Sequence, residues 1–225
     1  MHIPARRLIK PTTPRTVHVL NLRGVLLAPT QSEATTERAF VLMAALCPVV
    51  RSITSQPQTI RLDAGHYTPD YCVETFDGRT SYWEVKLRRR VPAYRILFDQ
   101  VAAHYAGQGT QFLLVSELEL QAGHRYRAAR QVMRYAKASF PDTELSRLTE
   151  CLRCHPGGIT TGELVETLGI SRELVFHALA RRLCAFKYDV SVEMGALIIS
   201  SNTREANDVL CLANWFGVAA WRPND

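Results

Sequence analysis

The stretch from Tyr67 to Lys86, YTPDYCVETFDGRTSYWEVK, constrains the fold more than any other part of the chain. An Asp77-Gly78 pair between two runs rich in aromatic and β-branched residues is a strong hairpin signal. The spacing therefore predicts two short antiparallel strands joined by a tight turn. Side chains alternate along a strand, so Glu84 and Lys86 point the same way, about 6.6 Å apart, while Trp83, Val85 and Leu87 point the other way. Across the hairpin Asp70 can share the polar face, with Tyr71 and Val73 directed inward. Two carboxylates held together repel, and a bound divalent cation removes that penalty. Oxygen-only ligands suit Mg2+ or Mn2+. Such an ion can lower the pKa of a bound water and offset charge on a phosphate oxygen. A lysine two residues on can orient that water or stabilise the pentavalent phosphorus. These are the parts of phosphodiester hydrolysis. The same residues would also suit a solvated hairpin with a salt bridge, so the surroundings have to separate the two readings.

Those surroundings read as a mixed α/β domain. Ser32 or Thr35 can cap a helix whose stripe runs through Ala39, Leu42, Met43 and Leu46 until Pro48 stops it. Extended segments are expected at Val17–Leu20, Val49–Ile53 and Gln58–Leu62. After the hairpin and Pro92, Tyr94–Tyr105 fits an amphipathic helix with Leu97, Val101 and Tyr105 inward, and Gln111–Val115 fits a buried strand. Strand, helix and strand in that order imply a right-handed crossover and a mixed sheet. Residues 120–139 read as one further helix, and Pro141 as a domain boundary. Beyond it, GITTGELVETLGISRELVFHALARRL reads as helix, Gly-containing turn and a second helix over Ser171–Leu183. Alternation from Phe186 to Met194 then predicts a half-buried strand that turns near Gly195 into LIIS. Helix-turn-helix plus hairpin is the pattern of a winged helix. The expected organisation is a basic arm over 1–29, an α/β domain over 30–140 and a winged-helix domain over 141–225.

Pro69-Asp70 and Glu84-Val85-Lys86 match the PD-(D/E)xK nuclease pattern in its strand–turn–strand context, which implies a restriction-endonuclease-like mixed sheet with flanking helices. The run from Glu33 to Lys86, with TTERAFVLMAAL, VVRSITSQPQTI, YTPDYCVETFDG and YWEVK, resembles the TnsA endonuclease family of cut-and-paste transposons. The motif-level resemblance spans about residues 15–140; beyond that it is architectural. It implies that Glu37, Asp70 and Glu84 hold Mg2+ or Mn2+, and that Lys86 completes the catalytic set. Some relatives carry glutamine at the third position, where this chain has Glu84. The family's activity is cleavage of the 5′ ends of the transposon, the non-transferred strands. Its partners are double-stranded DNA at the transposon ends, a DDE-type transposase and an AAA+ ATPase regulator engaged through the C-terminal region. From the residues alone, Glu37 lies at the edge of the inward stripe, three residues before Phe40. A first-turn glutamate favoured by the helix dipole explains it equally well, as it does Glu33.

Charge agrees with a polyanionic partner without requiring one. The chain has 27 basic and 21 acidic residues, net +6, and no acid precedes Glu33 while Arg6, Arg7, Lys10, Arg15 and Arg23 do. Arg88, Arg89 and Arg90 lead away from the carboxylates and suit phosphate contacts, as do Arg127, Arg130, Arg134 and Lys137 at helical spacing. The second helix of the helix-turn-helix motif offers Arg172, His177, Arg181 and Arg182, only moderately basic for a groove reader. Protein docking is therefore as reasonable there as DNA binding. The apolar tail Val209–Trp221 is either core closure or a docking surface. CLRCH at 151–155 matches a haem-attachment motif, but Leu148, Cys151 and Leu152 fit the buried stripe of a helix. With no bilayer-length apolar run and no signal-like N-terminus, a bacterial cytoplasmic location with reduced thiols is expected. Two other readings stay open: a different PD-(D/E)xK nuclease, restriction-like or junction-resolving, and a winged-helix regulator with an inert nuclease-like half.

Overall fold

The computed structural model describes residues 17–22, 25–63, 65–201 and 212–223. Most of the basic arm, together with Arg23, Val209 and Cys211, lies outside them. The protein is mixed α/β and divides into two units. The first gathers the described residues up to Val41, Val50–Leu120 and those from Phe216 on; the second gathers Leu42–Val49 and Gln121–Trp215. No helix among the described residues is long and apolar enough to cross a membrane.

In the first unit, β1 (His18–Leu20) pairs with β2 (Thr30–Ser32) before α1 (Thr35–Leu46) begins. The chain is thus extended at Thr30–Ser32, and the helix begins after it at Thr35. Thr30 is fully buried and its hydroxyl donates to the Ile53 carbonyl at 2.7 Å, a tertiary partner that local pattern cannot reveal. Next come β3 (Val50–Ser55) and a small separate hairpin of β4 (Ile60–Leu62) and β5 (Gly65–Tyr67). The opening stretch forms β6 (Tyr71–Thr75) and β7 (Thr80–Val85). Asp77 sets their turn, accepting from the Thr75 hydroxyl at 2.5 Å and from the Arg79 amide at 3.2 Å, while Gly78 takes φ 84°. A 3-10 segment over Arg88–Tyr94 leads into α2 (Arg95–Ala106), and β8 (Gln111–Val115) then pairs parallel to β7. The result is a mixed sheet in the order β3-β6-β7-β8.

Both faces of this sheet are covered. One face carries Cys72, Tyr82 and Phe112 against Val91, Phe98, Val101, Ala102 and Tyr105. On the other, Phe40 of α1 packs against Tyr71, Trp83 and Phe216 at centroid distances of 5.1–5.2 Å. This double burial explains why β7 carries apolar residues toward both faces, at Tyr82, Trp83 and Val85. It also takes Glu84 off the solvated face: the residue is 3% exposed. The chain after Phe216 returns to β8, where the Trp221 amide donates to Phe112 O at 2.8 Å and Trp221 Nε1 to Asp99 at 2.8 Å.

The segment expected as one helix over 120–139 is broken. It forms α3 (Glu117–Gln121), α4 (Arg125–Met133) and a final 3-10 turn, interrupted where Gly123 and His124 take φ 55° and 63°. The division between units falls at Leu120/Gln121, so the expected boundary at Pro141 lies inside the second unit. The reason is that α4 buries Ala128, Ala129 and Val132 within that unit.

The second unit continues with α5 (Asp142–Cys154), β9 (Ile159–Thr160), α6 (Thr161–Leu168) and α7 (Arg172–Ala180). Thr160 and Glu163 form a capping box on α6, and Gly169 ends it in the left-handed region that glycine adopts freely. The second helix of this pair stops at Ala180, not Leu183. β10 (Cys184–Phe186) and β11 (Leu197–Ser200) complete a sheet of order β10-β11-β9. The long alternating strand expected to Met194 is corrected to these three residues of β10. Beyond it the exposed Asp189 accepts from the Val190 amide at 2.7 Å and pairs with the buried Arg125 at 2.5 Å. Leu148 and Leu152 are buried on α5, whereas Cys151 is only half-buried and Cys154 exposed. Finally, α8 (Leu212–Phe216) brings Trp215 into this unit, with Nε1 donating to the Met43 carbonyl at 3.0 Å. Trp215 and Phe216 are core residues, at 3% and 1% exposure.

Candidate active site

The β6–β7 register sets the centre of the site. Tyr71 pairs with Trp83 and Cys72 with Tyr82. One step further along that register Asp70 comes opposite Glu84, where like charges destabilise a sheet. Asp70 is held there from both sides. Its Oδ2 accepts from the Val85 amide at 2.9 Å, and its carbonyl accepts from the Gln56 amide at 2.7 Å. Gln56 reaches this bond with φ 45°, an uncommon conformation for a residue that is not glycine. Gln56 thus continues the β3–β6 pairing to Asp70.

Glu84 is buried with both oxygens engaged. Lys86 Nζ lies 2.5 Å from Oε1, and the Tyr67 hydroxyl donates to Oε2 at 2.6 Å. The Lys86 ammonium also lies 5.0 Å from the centre of the Tyr94 ring. Glu37 occupies the first turn of α1, where its Oε2 accepts from the Glu33 amide at 2.7 Å. It therefore does the work of a helix-terminal glutamate. It also lies within the field of the other acids.

The protonation tendencies express this crowding. Burial, then Glu84, then Glu37 push the Asp70 carboxyl well above the ordinary aspartate range, against smaller opposing effects of the Val85 amide and Lys86. Burial also raises Glu37, with Glu33 and Glu84 adding to it and hydrogen bonds from backbone amides opposing. For Lys86, burial alone would lower the pKa, but the contact with Glu84 and the field of Asp70 outweigh it and raise it. Burial and Glu84 push Tyr67 well above the normal phenol value, which keeps its hydroxyl a donor. Three carboxylates and one lysine thus share a single electrostatic site.

As they stand, no three His, Cys, Asp or Glu side chains among the described residues converge closely enough to ligate one metal ion. The chemistry of the donors nonetheless fits a hard divalent cation. All three acids supply oxygen only, their charge exceeds that of the single lysine, and the raised carboxyls register the cost of holding them together. Asp70, Glu84 and Glu37 are the residues that would hold such an ion.

Sequence reasoning did not find Tyr67 or Tyr94 as members of the site. No spacing rule ties residue 67 to residue 84, because the β4–β5 hairpin that carries Tyr67 belongs to a separate two-stranded sheet. Arg88, Arg89 and Arg90 are exposed on the 3-10 segment just beyond Lys86. The Arg88 amide is fixed by Glu117 at 2.8 Å. In the second unit, Arg127, Arg130, Arg134 and Lys137 are all exposed, while Ala129, Val132 and Ala136 are buried beneath them. By contrast α7 is buried from Leu174 to Ala180, and His177 bonds the Tyr135 carbonyl at 2.8 Å instead of facing solvent. His66 is exposed on β5. No family model matches the chain, and no curated protein matches its sequence.

Proposed function

We propose that the chain is a Mg2+- or Mn2+-dependent DNA endonuclease, the subunit of a heteromeric cut-and-paste transposase that hydrolyses the 5′ ends of the element. The observation that carries this reading is the placement of Asp70 opposite Glu84, with Lys86 on the same carboxylate and Glu37 in their field. An antiparallel β3-β6-β7 meander extended by the parallel strand β8, with α1 and α2 on its two faces, supports a restriction-endonuclease-like fold.

The bound cation would supply Lewis acidity toward water and the scissile phosphate. Asp70 and Glu84, with Glu37, would hold it, which would offset their mutual repulsion. Lys86 brings a positive charge to the site, suited to orienting the attacking water or offsetting charge that develops on phosphate oxygens. The exposed arginines at 88–90 hold the DNA backbone, which fixes position but carries no sequence information. Base readout therefore belongs to a partner transposase, which places the strand to be cut. In the second unit, α6, Gly169, α7 and the β9–β11 sheet support a winged-helix reading. Burial of α7 favours a protein-docking role for that unit, such as contact with an AAA+ regulator, over groove reading.

The test is a nicking assay with labelled element ends and scrambled DNA, in Mg2+ or Mn2+, with and without the transposase. Cleavage at the 5′ ends that needs both proteins is the expected result. Efficient position-specific cutting by the chain alone, or no metal-dependent cutting under any condition, would refute the proposal.

A further inference from the structure

A site that keeps two carboxylates opposite one another needs something to stop Glu84 from turning away. Lys86 engages one oxygen, but a lysine expected to act on water or phosphate cannot also be the sole anchor of the acid. The second oxygen has its own partner. The Tyr67 hydroxyl donates to it at 2.6 Å, a short O–H···O hydrogen bond.

We propose that Tyr67 is a positioning residue for the nuclease site, fixing the Glu84 carboxylate beside Asp70 so that a divalent cation finds its ligands already oriented. The proposal rests on the metal-nuclease reading above and deepens it. Tyr67 suits the task for three reasons. Its ring is held by packing, edge-on to Phe98 at 6.5 Å and to Phe112 at 6.3 Å, and both phenylalanines are core residues. Its backbone is fixed by pairing with the buried Ile60 across the β4–β5 hairpin. Its hydroxyl orients the carboxylate without adding a second positive charge beside that of Lys86. The other half of the pair is supported alike. Tyr94 lies under the Lys86 ammonium and stacks on the same Phe98 at 5.7 Å. One buried phenylalanine therefore backs both tyrosines that bracket the Glu84–Lys86 pair. Groups that orient metal ligands in this way typically change metal affinity or activity by about 10–100-fold when removed.

The alternative is that Tyr67 merely satisfies a buried carboxylate, in which case its loss lowers stability and nothing else. Mn2+ binding to the full chain, followed by electron paramagnetic resonance without DNA, separates the two. Tyr67→Phe keeps the ring and removes only the donor; it should weaken Mn2+ binding about tenfold, corrected for the folded fraction seen by circular dichroism. In a Glu84→Gln background the same change should add no further loss, because the partner through which Tyr67 acts is already altered. Unchanged affinity in Tyr67→Phe overturns the role of Tyr67, as does an equal loss in both backgrounds. A parent chain that binds no Mn2+ overturns the metal reading itself, and this inference with it.

Discussion

Replacing Asp70 by Asn should abolish cleavage and at the same time stabilise the metal-free fold. Residues directly opposite in a sheet hold their Cβ atoms roughly 5 Å apart. At that separation and an effective dielectric constant near 20, two unit charges repel by about 3 kcal/mol. Loss of the attraction between Asp70 and Lys86 offsets part of this. The Asn oxygen can still accept from the Val85 amide, which leaves a net gain of about 1–2 kcal/mol, on the order of 2–8 °C in Tm for a chain of this size. The sign depends on pH. The native Asp70 carboxyl is raised above its unfolded value, so between the two the native state binds more protons and its stability falls as pH rises. The parent is therefore free of the penalty below the unfolded value and carries all of it above the raised native value. Asp70→Asn should match the parent near pH 3 and exceed it at neutral pH in EDTA. Urea unfolding across that range measures the gap, and Mg2+ should stabilise the parent more than the variant. A variant less stable than the parent at neutral pH, or a gap that does not vary with pH, would refute the reasoning.

Metal binding should release protons from the raised carboxyls, so calorimetry in buffers of different ionisation enthalpy should show proton release, with affinity increasing as pH rises until Asp70 is ionised. Lys86→Ala should lower the cleavage rate while Mn2+ still binds, and calorimetry showing lost binding would contradict its assignment. Changing Arg88, Arg89 and Arg90 together to Ala should reduce the salt dependence of DNA binding by up to about 2.7 in log–log slope, read by fluorescence anisotropy, if each arginine neutralises one phosphate. Trp83→Ala, at a fully buried side chain between Phe40 and Phe216, should cost about 3–5 kcal/mol in urea unfolding.

Local chemistry makes much of this protein legible in its sequence. The Asp77-Gly78 turn, the arrest of α1 before Pro48, the strand Gln111–Val115 and the glycine-separated helices α6 and α7 all depend on neighbours within a few residues. The same is true of the Glu84–Lys86 spacing, because a strand fixes which side chains share a face. What the sequence could not state was decided by partners far along the chain. Thr30 lies in a strand and its hydroxyl donates to Ile53, and β10 ends at Phe186, before Asp189 meets Arg125. Alternation at Glu84 suggested a solvated face, but the residue is buried there with Tyr67 and Lys86 on its two oxygens. Tyr67 lies 17 residues from Glu84 in a different sheet. Only packing around Phe98 and Phe112 brings its hydroxyl to the carboxylate, since hydrogen bonds and burial act through space while sequence patterns record only the local period.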